Sequence, residues 1–210
     1  IIILLYKIHF SGIFLLNSKK ILIICIFIIF IFAIFKIINI KQIIIRRIYP
    51  TKYEDYVYKY SEENNIDPYL TFAIIKAESN FNKDSRSKSN AKGLMQLMDA
   101  TAEEIAKKLN MPEEINLFDA ETNIRLGTNY IATLLKYYNN NLYLALSAYN
   151  AGIGNVNKWI ENGTIQKDGS DIENIPFKET ENYVRKIQRD YKIYTKYLGD
   201  KNGWIRRKNK

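Results

Sequence analysis

Residues 21–35 (ILIICIFIIFIFAIF) form fifteen apolar positions without a break, and continuing to Ile40 gives twenty with Lys36 as the one charge. At about 1.5 Å rise per residue, roughly 20 helical residues cross about 30 Å of hydrocarbon. Ile and Phe on every face leave no polar stripe for a soluble surface. Lys36 stands near the end, where a long side chain reaches an interface. No A-x-A-like site follows, since Ala33 precedes Ile34 and Phe35, so an uncleaved anchor is expected over 21–40. Cys25 follows Ile24 rather than a small residue, which disfavours a lipid-modified cysteine.

After Pro50 the pattern changes to a period of 3.6. Asp67-Pro68 is a helix start, a cap followed by proline at the first position, and the helix runs to Ser79. A second helix is expected from Thr101 to Leu109. Asp119 caps a third, with Ile124, Gly127, Ile131, Leu134, Leu135 and Tyr138 on one side and Asn139-Asn140-Asn141 at its end. Leu142, Ala145, Leu146 and Tyr149 mark a short buried helix. Thr180, Val184, Ile187, Tyr191, Tyr194 and Leu198 mark the last long one. No stretch alternates with period 2, so the body is expected to be mostly α. The organisation reads as an N-terminal segment 1–20, the span 21–40, a linker 41–52, a domain 53–198 and a basic tail 199–210. A translation start at Leu16 would leave a compact Asn-Ser-Lys-Lys before the span.

Composition narrows the chemistry. The only His and Cys are His9 and Cys25, so the body holds no Ser-His-Asp triad, no Cys-His pair and no His or Cys zinc site. Acid–base work must fall to Asp, Glu, Lys or Tyr. The net charge of +9 divides unevenly. Residues 1–50 carry seven Lys/Arg and no acid, 51–200 carry 19 against 22 acids, and 201–210 carry five and no acid. A mildly acidic body between basic ends argues against a groove tracking nucleic acid. It fits a domain tethered at a membrane surface.

Glu78 is the first candidate. On the 68–79 helix, Leu70, Ala73, Ile74 and Ala77 form the expected buried stripe, and Glu78 lies at its margin, one turn after Ile74. A carboxyl partly removed from water has a raised pKa and suits a general acid near neutral pH. A salt-bridged boundary glutamate is the competing reading. Gly93-Leu94-Met95-Gln96-Leu97-Met98 is the second feature, and Ala148-Tyr149-Asn150-Ala151-Gly152-Ile153-Gly154 the third. Two glycines there break a helix and present Tyr149 and Asn150 at its end.

Taken in order, Glu78-Ser79, G-L-M-Q at 93–96, A-Y-N-A-G-x-G-x-V at 148–156 and I-P-F-K-E-T-E-N-Y-V at 175–184 resemble the soluble lytic transglycosylase family. That family is the lysozyme-like catalytic domain that cleaves peptidoglycan, and the resemblance spans about 53–198. It implies that Glu78 is the catalytic acid and base. It implies that Ser87, Gln96, Met98, Tyr149 and Asn150 contact or flank the sugar, that Glu179 and Tyr183 support the cleft, and that Ser79 is structural. The implied reaction breaks the β-1,4 bond between N-acetylmuramic acid and N-acetylglucosamine and leaves 1,6-anhydromuramic ends, with no metal or cofactor. Two positions depart from the pattern: Asp99 stands where proline is usual after G-L-M-Q-x-M, and Ala120 where proline often follows the capping Asp.

Glycan strands as substrate place the domain outside the cell membrane on a single-pass anchor, as a monomer. The charge count leans the other way, with Lys7, Lys19 and Lys20 before the span and Lys36, Lys41, Arg46 and Arg47 after it. The rivals are a water-using muramidase of the same fold, with Asp84 as its second carboxylate, and a non-catalytic glycan-binding module.

Overall fold

The computed structural model describes residues 18–112 and 114–198. The Leu16 start and the basic tail fall outside the described residues. Helix α1 (Ser18–Ile48) stands in one unit; the other, from Tyr49 on, holds α2 (Glu54–Glu63), α3 (Pro68–Ser79), α4 (Asp99–Lys108), α5 (Ala120–Tyr137), α6 (Leu142–Ala151), α7 (Ile153–Glu161) and α8 (Lys178–Leu198). A 3₁₀ turn at Ile172–Asn174 precedes α8. Among the described residues the β-structure is two isolated bridges, Arg86 with Lys92 and Lys92 with Leu97. The mostly α expectation is met.

Helix α1 is long and apolar enough to cross a membrane over Lys20–Ile48. Its apolar side chains are exposed, Ile29 at 67%. It outruns the expected span. The segment read as a linker, 41–52, is helical as far as Ile48, because Ile43, Ile44 and Ile45 prolong the apolar run and no helix breaker precedes Pro50. Tyr49 already belongs to the second unit, its ring edge-on to Tyr194 at 5.5 Å. That unit therefore starts before residue 53.

In the second unit α3 is the centre. It packs between α2 and α8, while α6 packs on α5, α7 and α8. Asp67 caps α3 by accepting from the Tyr69 N–H at 2.9 Å. Burial does not follow a stripe there: every residue from Pro68 to Ile75 is buried, Thr71 included. Thr71 is tolerated because its hydroxyl pairs with that of Ser61 at 2.9 Å. Asp119 caps α5 as expected, and Asn141, read only as the end of that helix, also caps α6.

Sequence periodicity did not disclose α2 or α7. The first starts from Tyr53 at a left-handed φ of 62°, and the second starts directly after Gly152, at φ 86°. The two departures are accommodated. Asp99 opens α4 and takes the Lys92 ammonium at 2.6 Å, a carboxylate at the favourable end of the helix dipole. Ala120 follows Asp119, whose carboxylate caps the Thr122 N–H at 2.8 Å.

Candidate active site

Glu78 sits on the last turn of α3, facing α8. Tyr183 of α8 donates its hydroxyl to Glu78 Oε1 at 2.6 Å. Among the described residues nothing bonds Oε2, and Glu78 as a whole is half-buried. Burial raises the Glu78 pKa to about 7; the Tyr183 hydrogen bond and the Lys186 charge pull it down, and Glu179 pushes it up. Desolvation prevails because the carboxylate has one phenol and no ion pair among the described residues.

Two tyrosines share this environment. Burial and the Glu78 charge hold the phenols of Tyr149 and Tyr183 well above their ordinary range, so both remain proton donors. Tyr149 donates to the Met95 carbonyl at 2.7 Å, and its ring tilts against Tyr130 at 5.0 Å. Asn150, one residue on, accepts from the Thr180 hydroxyl at 2.7 Å, fastening the end of α6 to the first turn of α8.

The loop 93–98 is shaped by its own residues. Gly93 adopts φ 78°, and a Cβ there would overlap the Leu117 carbonyl and the Asn123 side chain. Met95 packs against Gly127 of α5, where a Cβ would collide with its thioether. Asn123 fastens the loop to the approach of α5: it accepts from Met95 N–H at 2.7 Å and donates to the carbonyl of Lys92 at the loop's edge and to that of Leu117 just before α5, both at 2.9 Å. Gln96, at φ 48°, donates to the carbonyls of Gly93 at 2.8 Å and Ser85 at 3.1 Å. Ser79 joins this loop to the acid's helix by donating to the Leu94 carbonyl at 2.8 Å.

The structure thus brings Glu78, Tyr183 and Tyr149 together, with Glu179 exposed but within electrostatic reach and Asn150 attached through Thr180. Gln96 and Met98 lie on the fastened loop, Met98 at 44% exposure. Ser87 lies on the preceding exposed loop, where its hydroxyl closes a turn by accepting from Ala91 N–H at 3.0 Å. Asp84 is exposed and paired with Lys83 at 2.7 Å. Sequence reasoning missed Asn123, Tyr130 and Lys186. Asn123 had a signal, a lone amide beside the apolar Ile124 face of its helix; the other two had none. Among the described residues no cluster of ligating side chains could hold a metal ion.

Residues 55–172 match the family model described as Transglycosylase SLT domain. The chain belongs to that family. Its SLT domain is similar to the soluble lytic murein transglycosylase of Escherichia coli (strain K12), 34% identical over 157 residues, covering 73% of this chain and 24% of that protein. It is also similar to the membrane-bound lytic murein transglycosylase C of Edwardsiella ictaluri (strain 93-146), 40% identical over 116 residues, covering 50% and 32%. Among solved structures, an inactive mutant of the lytic transglycosylase Slt from Pseudomonas aeruginosa superposes with TM-score 0.66 at 34% identity, covering 72% of this chain and 25% of that one. The 70 kDa soluble lytic transglycosylase of Escherichia coli gives 0.67 at 31% identity, covering 75% and 26%. The lysozyme-like fold expected for the SLT domain is the fold observed. The chain spans about a quarter of the length of these soluble relatives.

Proposed function

We propose that the chain is a membrane-anchored peptidoglycan lytic transglycosylase in which Glu78 is both acid and base. The observation that carries this is the state of Glu78: its pKa is raised to about 7, Tyr183 holds one oxygen, and the other has no bonded partner among the described residues. Near neutral pH such a group gives and takes a proton with similar ease.

Protonated Glu78 delivers its proton from Oε2 to the oxygen of the β-1,4 bond between N-acetylmuramic acid and N-acetylglucosamine. The bond to C1 breaks with its electron pair going to that oxygen, leaving an oxocarbenium-like centre. Ionised Glu78, still held by Tyr183, then takes the proton of the muramic C6 hydroxyl. O6 closes on C1, giving a 1,6-anhydro ring and restoring the acid. Two-carboxylate glycosidases place the second group about 5–9.5 Å from the first. Asp84, the one nearby carboxylate in sequence, is exposed and engaged with Lys83, which weighs against the hydrolytic reading. The C6 hydroxyl is held by the rest of the bound sugar, so its effective concentration is high. Tyr149 and Asn150 flank the acid, and Gln96, Met98 and Ser87 extend the sugar-contacting surface along the loops. Glu179 and Tyr183 support it from α8.

Glycan strands lie outside the cytoplasmic membrane, so α1 spans it with the SLT domain on the wall side. Mass spectrometry of purified peptidoglycan digested by the full chain in detergent tests the reading, since the anhydro product is lighter by one water. Dominant 1,6-anhydromuramic ends are expected, and Asp84→Asn should leave both rate and product unchanged. Reducing ends carrying oxygen from isotopically labelled solvent would overturn it in favour of a muramidase.

A further inference from the structure

Three α8 residues at helical spacing act on Glu78: Glu179, Tyr183 and Lys186 stand at i, i+4 and i+7, one face of the helix. Tyr183 touches the acid directly. Lys186 does not; its ammonium donates to the carbonyl of Ala77, the residue before the acid, at 3.1 Å. That bond satisfies a carbonyl at the C-terminal end of α3, where a cation also complements the helix dipole.

The company Lys186 keeps is what singles it out. Between Lys178 and Arg189, α8 carries four cations. Lys178 and Arg185 both pair with Glu181, at 2.6 and 2.9 Å. Arg189 pairs with Asp190 at 3.2 Å, and across the interface Lys76 of α3 pairs with the same carboxylate at 3.0 Å. Lys186 makes no ion pair among the described residues, and its bonded partner is a neutral carbonyl. Its charge is therefore uncompensated, and it is fixed to the backbone next to Glu78.

We propose that Lys186 is a positioning residue for the ring-closing half of the reaction: anchored on Ala77, its ammonium stabilises the charge of the neighbouring Glu78 carboxylate through space during the interval when that group is ionised and must act as a base. The inference rests on the functional reading above for its consequence, but not for its physical content. In the first step Glu78 loses its proton to the departing sugar oxygen. From that moment until the C6 hydroxyl proton returns, a carboxylate stands in surroundings that otherwise penalise charge. The groups around it are Tyr183 and Glu179 from α8 and Tyr149 from α6, with Tyr130 of α5 behind Tyr149. Two tyrosines donate or stay neutral, and Glu179 opposes the charge. Among the described residues Lys186 is the cation whose charge acts on Glu78, in keeping with its lowering influence on that group.

The test is titration of Glu78 in the full chain in detergent, followed through carboxyl-labelled glutamate by NMR and assigned by its loss in Glu78→Gln. In Lys186→Met the midpoint should rise by about one unit, a tenfold change in the ionisation equilibrium, and in Lys186→Arg it should stay. If Met at this position unfolds the chain, Lys186→Gln carries the same test. With peptidoglycan as substrate, the alkaline limb of the pH–rate profile should move up by the same amount and kcat should fall, with KM little changed. An unmoved midpoint in the Met or Gln variant overturns the proposal, whatever the activity. A moved midpoint in a chain that releases no anhydro product supports it and defeats the functional reading instead.

Discussion

Two carboxylates lie on the α3–α8 interface, and they are treated in opposite ways. Asp190 is fully buried and saturated: Lys76 bonds one oxygen at 3.0 Å, while Arg189 at 3.2 Å and the Tyr49 hydroxyl at 3.3 Å bond the other. The Tyr49 ring also lies over the Lys76 ammonium at 4.5 Å. Glu78, two residues past Lys76 on the same helix, has one phenol at 2.6 Å. A saturated buried carboxylate has its oxygens committed to structural donors; Glu78, with one donor, changes charge near neutral pH. Structure and reactivity are thus divided along one helix pair by the number of donors supplied.

The comparison breaks most visibly at Glu78. Glu78→Gln keeps the shape and can accept from Tyr183 but has no proton to deliver, so cleavage should fall by about 10²–10⁴, with helical circular dichroism unchanged. Release of soluble muropeptides measures this, and near-full activity would remove Glu78 as the acid.

At the other carboxylate the effect should be on the fold. Asp190→Asn leaves Lys76 without its counter-charge in a half-dry site, and breaking such a pair costs about 3 kcal/mol. Urea denaturation should show the midpoint fall, with any activity loss following the population of folded chain.

A subtler contrast is the stability of Glu78→Gln against pH. The folded pKa of about 7 exceeds the ordinary value of 4.5. Between those values the folded chain binds more protons than the unfolded one, so native stability falls as pH rises through the window. The Gln variant escapes this loss. It should be more stable than the native chain by about 1–3 kcal/mol at pH 8, and the advantage should vanish by pH 4. Thermal melts at the two pH values read the difference.

The smallest expected effect is at the phenol. Tyr183→Phe removes the direct donor to the ionised carboxylate, so the alkaline limb of the rate profile should rise by about one unit. A limb that moves down would show that Tyr183 favours the neutral acid instead.

Most of this helix pair was legible in the sequence, and the missing parts have a physical reason. The Asp67-Pro68 start, the helix to Ser79 and the Tyr183 motif could be read because caps and short motifs are local. The burial of α3 was underread: Tyr69, Thr71, Phe72 and Ile75 lie off the expected stripe, and only packing against two neighbours at once makes them interior. Asp190 attracted no notice for the same kind of reason. A lone Asp between Arg189 and Tyr191 reads as surface until α3 brings Lys76 and the start of the second unit brings Tyr49. The extent of α1 was underread differently, because Lys36 and Lys41 suggested an end to the span, whereas two charges among isoleucines do not end a helix.

Met95 has a consequence in the time domain. It lies in an irregular loop, where a peptide group ordinarily trades its hydrogen with solvent quickly. Yet its N–H is held by Asn123 of α5 and its carbonyl by Tyr149 of α6. To expose that one hydrogen to deuterium, the loop must leave both helices together, so its exchange clock should run at the pace of the helices rather than of the loop. The residue before Gln96 is thereby a reporter of whether this loop is docked on α5 and α6, readable without any substrate.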